Sequence, residues 1–245
     1  MDVIGDLMAR DRRSDSLALR VDAPGHTYTY YDLITTSYKA GNVLRYLGVR
    51  KGARVAVEPV SLPEPILTFL GAAQLGAVTT FDSAAKARAV VVDAAREDEF
   101  DLPPGHKLAV YNGPPKSPAT THWEQEVWSE NPAVHPEAVA PDDAALVAGE
   151  REYTHADLLD AAKRVVSEFG LTEADTVAIR ASISHPGTVA AGLLAPLLAG
   201  GTIRVPVGDE TADRTDAAVV VADHKPAKRT ETPATITPAD VFADG

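Results

Sequence analysis

YTYYDL at residues 28–33 and YTHADL at residues 153–158 are two versions of one phrase, about 125 residues apart. The stretches downstream of the two phrases are also alike. A helix-patterned segment runs into a glycine, Gly48 in the first copy and Gly170 in the second. A short apolar strand comes next, ARVAVE at 53–58 or DTVAIR at 175–180, and then a Pro-led apolar helix from Pro63 or Pro186. A second strand begins after Gly76–Ala77 or Gly200–Gly201. Repetition of a strand-helix-strand unit predicts an α/β fold of two similar layered subdomains, each a mainly parallel sheet flanked by helices. Differences between the copies then mark where function was placed or lost.

The surrounding sequence fills in the frame. Residues 2–11 read as a short helix, and LALRV at 17–21 with TYTY at 27–30 as a hairpin around DAPGH. Leu33, Ile34, Tyr38, Val43, Leu44 and Leu47 keep a helical rhythm over 30–47, which Gly48 is suited to end. Thr29 and Thr154 are placed to cap their helices, and Asp32 and Asp157 favour the positive end of the helix dipole. A helix over 64–75 leads to a strand at 77–81, and the near-continuous apolar runs 87–93 and 106–112 read as buried parallel strands. The Pro-rich stretch 113–143 is the expected linker, with one helix around 121–128. In the second copy, AALVA and REYT are short strands joined by a tight Gly-Glu turn. Helix 155–169, strand 175–180, helix 187–199 and strands 201–205 and 217–223 come after it. The expected domains are 1–137 and 138–223, with 224–245 a poorly ordered tail carrying a small helical turn near Ala239.

Composition narrows the function. A net charge of −12, from 35 acidic against 23 basic residues, argues against nucleic acid or an anionic membrane as partner. Many acids with few lysines suit a salt-adapted cytoplasmic protein; a merely acidic soluble protein is the alternative. The absence of cysteine excludes disulfides, thiol catalysis and Cys-based zinc sites. The longest apolar run, 188–203, contains Pro196 and Gly200–Gly201 and falls short of the ~20 residues a membrane span needs.

TYTYYDL and residues 44–78, LRYLGVRKGARVAVEPVSLPEPILTFLGAAQLGAV, resemble the opening of the AMP-forming acyl-CoA synthetases. These are adenylate-forming enzymes, related to luciferases and peptide-synthetase adenylation domains. Residues 154–177 resemble the helix after that family's phosphate loop, and 184–205 the stretch in which a histidine lies near the acyl pocket. The resemblance runs from residue 14 to about 222 and implies the family's N-terminal fold. It also implies two departures. The family's Thr/Ser/Gly-rich loop cradles ATP phosphates with backbone amides, hydroxyls and a lysine. Here the connection is AGEREY at 148–153, with one glycine, no lysine and two glutamates, Glu150 and Glu152. Carboxylates facing a polyphosphate repel it, so the ATP site in its usual form is not expected. The family's adenine and ribose elements, hinge and small C-terminal domain with its catalytic lysine fall beyond residue 245, so a truncated, degenerate relative is expected.

His185 matches the family's pocket histidine and is the one candidate substrate-binding residue; the alternative is a helix-start residue satisfied by local backbone. No catalytic, cofactor-binding or metal residue is assigned. The seven histidines lack metal-ligand spacing, and Asp142–Asp143 read as solvated charge. Ser182 and Ser184 have no G-x-S-x-G elbow, and no G-x-G-x-x-G follows a strand. The leading expectation is a non-catalytic relative, without cofactor, that binds a ligand or a protein. The alternatives are one subunit of a split ligase, using ATP, Mg and CoA with a partner chain, or a homodimeric scaffold.

Overall fold

The computed structural model describes residues 1–23, 25–206, 217–224 and 233–243. Two 3-10 turns, Ile4–Met8 and Arg10–Arg12, stand where one short helix was expected. They bury Ile4, Leu7 and Met8, leaving Arg10 exposed and Arg12 half-buried, its Nη2 donating to the Leu197 carbonyl at 2.6 Å.

The first copy consists of β1 (Leu17–Val21), β2 (His26–Thr29), α1 (Tyr30–Tyr46), β3 (Arg54–Val57), α2 (Pro63–Gln74) and β4 (Val78–Thr80). It continues with β5 (Ala89–Asp93), β6 (Lys107–Tyr111), β7 (Thr121–His122) and α3 (Trp123–Ser129). The second copy has β8 (Ala144–Ala148), β9 (Arg151–Thr154), α4 (His155–Phe169), β10 (Thr176–Ile179), α5 (Pro186–Thr188), α6 (Ala195–Ala199) and β11 (Thr202–Val205). It closes with β12 (Val219–Val221) and β13 (Ala234–Ile236).

Both copies start their long helix with the same device. Thr29 Oγ1 accepts from the Asp32 N–H at 3.1 Å, and Asp32 accepts from the Thr29 N–H at 3.2 Å. Thr154 and Asp157 repeat this at 3.0 and 2.9 Å. Each exchange satisfies two amides that a helix start would otherwise leave open. The hairpins match as well, down to a register shift between Leu17 and Leu19 in one and between Ala144 and Leu146 in the other.

The sheets do not follow the copy boundary. One sheet runs β13-β12-β10-β11-β1-β2 and the other β7-β6-β5-β3-β4-β8-β9. The first copy's hairpin therefore joins the second copy's strands, with Leu19 opposite Ile203, and the second copy's hairpin joins the first, with Thr79 opposite Leu146. Each sheet thus draws strands from both 1–137 and 138–223. The strand after each crossover helix, β4 or β11, would otherwise end its sheet with unpaired amides and carbonyls, and the exchanged hairpin covers that edge. Tyr30 Oη donating to the Gly201 carbonyl at 2.8 Å and Thr202 Oγ1 donating to the Leu17 carbonyl at 2.9 Å pin one of the exchanges.

A continuous apolar core takes side chains from both sheets and from α1, α2, α4 and α6. Where α1 crosses α2 the backbones nearly touch: a Cβ on Gly71 would stand 2.6 Å from Gly41 N. The second face of each sheet carries its own smaller cluster, around Val90, Val92 and Val110 in one and around Ala178 and Val220 in the other.

Three local expectations change. The helix expected over 187–199 is interrupted by a π segment, Val189–Leu194, because Pro196 lacks the N–H that a regular turn requires. Part of the expected tail is built in. β13 adds to β12, and a 3-10 turn at Pro238–Phe242 seats Phe242 against Tyr153, ring centroids 5.0 Å apart. Residues 225–232 and 244–245 of that tail lie outside the described residues. The linker is not a loose tether: Asn42 Nδ2 donates to the Asn131 carbonyl at 2.9 Å and Lys51 Nζ to the Ala138 carbonyl at 2.9 Å, laying 130–143 along α1 and α2.

Candidate functional site

Ligands of open parallel sheets bind beyond the carboxyl ends of the strands, where the strand order reverses. In the β3 sheet the reversal lies between β3 and β5, and in the β10 sheet between β10 and β12. β13 takes the place that β6 holds in the other copy, so the repeat extends further than the sequence suggested.

The first reversal point is filled by the protein itself. Glu58, directly after β3, accepts from the Asp93 N–H at 2.9 Å and the Tyr111 hydroxyl at 3.3 Å. Arg96 Nη1 donates to its other oxygen at 2.9 Å, and Arg96 Nη2 reaches Glu99 at 2.7 Å. Asn112, in the left-handed region at φ 61, donates from its side chain to Asp93 at 2.8 Å. Burial, then Glu58, drives the Tyr111 phenol far up, so it remains a hydroxyl donor. Glu64, in the first turn of α2, is 9% exposed and pushed up to about 7 by burial, with Glu124 and Asp93 adding to the shift. Tyr28 on β2 is raised to about 12, by burial first and then by Glu64.

The position of the family's phosphate loop lies on the same edge. β8 runs parallel to β4, with Thr80 opposite Val147, so the β8–β9 turn lies at the carboxyl end. Ala148 pairs with Arg151, which leaves only Gly149 and Glu150 to connect the strands. Gly149 takes φ 61, the kind of conformation that a two-residue hairpin needs and glycine supplies. Glu150 and Glu152 are exposed, Arg54 Nη2 approaches Glu152 at 3.9 Å, and the Arg151 guanidinium lies over the Tyr153 ring at 4.8 Å. Such a hairpin offers no nest of converging amides, and its carboxylates add to those of Glu58, Glu64 and Asp93. These residues do not fit a triphosphate.

The second reversal point differs. Arg180 follows β10 at the place corresponding to Glu58, and its Nε and Nη2 are buried with no hydrogen-bond partner among the described residues. Its backbone N–H donates to the Val221 carbonyl at 2.8 Å. Beyond it, the Ser182 and Ser184 hydroxyls bond each other at 2.8 Å. His185 is exposed and caps α5, its Nδ1 accepting from the Gly187 N–H at 3.1 Å. A Cβ on Gly187 would stand 2.0 Å from the Pro238 carbonyl, so the C-terminal turn lies directly over the helix start. His185 and Arg180 thus share the carboxyl edge of the β10 sheet, and the histidine makes the local backbone bond that its helix-start alternative required. Sequence reasoning missed Glu58, Glu64 and Arg180. The one available signal was the paired phrase ARVAVE and DTVAIR, whose last residues have opposite charge. Among the described residues no group of three or more His, Asp or Glu could hold a metal ion, and no helix is long and apolar enough to cross a membrane.

No protein-family model matches the chain. An acetyl-coenzyme A synthetase of Gemmatimonas aurantiaca is 37% identical over 71 residues, 28% of this chain and 11% of that protein. One of Xylella fastidiosa is 37% identical over 57 residues, 23% of this chain and 9% of that protein. Among solved structures, an anthranilate CoA ligase in complex with anthranoyl-AMP superposes over 90% of this chain with TM-score 0.76 at 18% identity. The N-terminal domain of FACL13 from Mycobacterium tuberculosis matches over 91% of it with TM-score 0.74 at 19% identity. The chain spans 49% of the anthranilate ligase and 63% of the FACL13 domain. Fold and local sequence agree: the chain has the architecture of the N-terminal part of the acyl-CoA synthetase superfamily, the family its sequence resembles.

Proposed function

We propose that this protein is a degenerate acyl-CoA synthetase-like chain that does not form adenylates by itself and acts by binding a ligand or a protein partner. One observation carries the reading. The connection that should cradle phosphates is the two-residue hairpin Gly149–Glu150, on a carboxyl edge already occupied by Glu58, Glu64 and Asp93. An apolar or neutral ligand, or a protein surface, suits that edge better than a nucleotide does. On this reading the chain needs no ATP, Mg or CoA, and its acidity suits a salt-rich cytoplasm. His185 remains the candidate contact for a ligand beside Arg180. Pyrophosphate exchange across a panel of carboxylic acids is the test. Background exchange with every acid is expected; acid-dependent exchange by the purified chain would overturn the reading.

The second reading is a split ligase, in which a partner chain supplies the nucleotide site and ATP, Mg and CoA enter the reaction. The unpartnered Arg180 guanidinium, beside an otherwise complete frame from α4 to β11, favours it. A co-purifying chain and thioester formation only in the complex are its expected signature. A monodisperse monomer inactive in that assay would count against it, and against the homodimeric scaffold as well.

A further inference from the structure

Three large apolar side chains lie bare along one side of α1. Tyr46, at its end, is 79% exposed; Trp128, near the end of α3, is 86% exposed; Val134, in the segment between the copies, is 61% exposed. Contacts to α1 set them in a row. Lys39 Nζ donates to the Trp128 carbonyl at 3.2 Å, and Asn42 Nδ2 donates to the Asn131 and Ala133 carbonyls at 2.9 and 3.2 Å. Lys39, Asn42 and Tyr46 follow one another at helical steps and share one face of α1. The row therefore runs from Trp128 beside Lys39, past Val134 beside Asn42, to Tyr46, over roughly 10 Å of helix axis.

Packing on the inner side explains why these residues face out. Helix α3 buries Trp123 and Val127, and Trp128, ~100° further round, points away from them. His135 turns inward to stack on Tyr38, with ring centroids 5.6 Å apart, so its neighbours Val134 and Pro136 turn outward. Aromatic residues bared in this way are characteristic of protein interfaces.

The two ends of the row differ in charge. At the Tyr46 end, Arg50 donates only to the Arg45 and Val49 carbonyls among the described residues, at 2.7 Å each, while Arg45 shares Glu137 at 3.9 Å. At the Trp128 end, Glu130 accepts only the Asn131 N–H, at 2.8 Å, and the Lys39 ammonium is spent on the Trp128 carbonyl. A two-fold rotation about the middle of the row lays each end on its opposite, which makes the face complementary to itself.

We propose that this face binds a second copy of the chain about a two-fold axis near Asn42, each Trp128 packing on Tyr46 and Val134 of the other copy and each Glu130 facing Arg50. Two such aromatic side chains and a valine bury roughly 400 Å² per copy. That is about half of the ~800 Å² which a standard interface takes from each partner. The dimer is accordingly weak, and repulsion between two chains of charge −12 weakens it further. None of these residues belongs to a carboxyl edge, so the pairing is independent of whatever those edges bind.

Sedimentation velocity of the full chain, from micromolar to millimolar concentration, tests it. A reversible monomer–dimer transition with a midpoint in the high micromolar range is expected. Trp128→Ser and Tyr46→Ser, at positions too exposed to alter folding, should each raise the midpoint about tenfold with an unchanged circular dichroism spectrum. Arg50→Glu should raise it severalfold, and adding Glu130→Arg should restore the parent value, because the reversed pair again meets across the axis. A monomer at every concentration would overturn the proposal and leave the face to a different protein. A dimer indifferent to Trp128→Ser and Tyr46→Ser would overturn it too, and a failed rescue by Glu130→Arg would overturn the two-fold register.

Discussion

Glu58 and Arg180 occupy the same place in the two copies, one residue past β3 and β10, and their surroundings differ. Around Glu58 three donors converge: a backbone amide, a phenol and a guanidinium. Around Arg180 two guanidinium nitrogens are buried with nothing to bond. The frame that carries them is nearly the same twice, in its caps, its hairpin irregularity and its strand order. A duplicated scaffold is constrained by packing and backbone bonding, which leave little freedom. The residues just past the strand ends are bound by neither and can change sign.

The largest expected effect tests that contrast. Glu58→Gln leaves Arg96 and two neutral donors around a weaker acceptor and should cost about 3 kcal/mol in urea unfolding, since it strips a mostly buried ion pair of one charge. Arg180→Gln removes no hydrogen bond and relieves the fold of an unpaired buried charge, so it should leave stability unchanged or raised. Equal losses would mean that Arg180 has a partner of the same strength.

The next prediction opposes one titrating group in each copy. Folding raises Glu64 from 4.5 to about 7, so the folded state holds its proton more tightly. The stability it contributes is present in acid and lost as pH rises through 7. His155 is fully buried, its Nδ1 accepting from the Ile4 N–H at 3.2 Å, and folding lowers it from 6.5 to about 4, mainly by burial. Its contribution is present above pH 6.5 and lost as pH falls toward 4. Glu64→Gln should therefore gain ~2 kcal/mol over the parent at pH 8 and nothing at pH 4. His155→Gln should flatten the acid limb between pH 6.5 and 4. Thermal melts across pH 4–8 for the three proteins decide it; parallel curves would refute both assignments.

The smallest effect asks whether the copies are equivalent where they look so. Thr29→Ala and Thr154→Ala each remove one half of a reciprocal cap and should each cost about 1 kcal/mol. A difference of twofold or more, by chemical denaturation, would show that the two helix starts bear unequal loads.

Legibility in the sequence tracked the range of the interactions. Helix α4 starts and stops where the pattern predicts, at His155 and Phe169, because Thr154, Asp157 and Gly170 act within one turn of its ends. The Gly-Glu turn, and with it the departure from a phosphate loop, could be read from six residues. The tail could not: Ile236 and Phe242 are isolated apolar residues in a polar stretch, and only their distant partners explain their burial. His135 looked like part of a linker because Tyr38, stacked on it, and Gln74, which lines the same pocket, come from two distant stretches of chain.

By itself, then, the sequence determined the repeat, the parallel α/β character, the helix caps and the absence of a glycine-rich cradle. Each of these is set by local backbone chemistry or by the period of apolar residues. Only the tertiary structure decided that the hairpins exchange sheets, that Glu58 is satisfied where Arg180 is not, and that the linker packs His135 against Tyr38. Those depend on which edges and donors meet between stretches from 35 residues apart, as for Glu58 and Asp93, to 185, as for Leu17 and Thr202, and an apolar strand pattern is compatible with several such pairings.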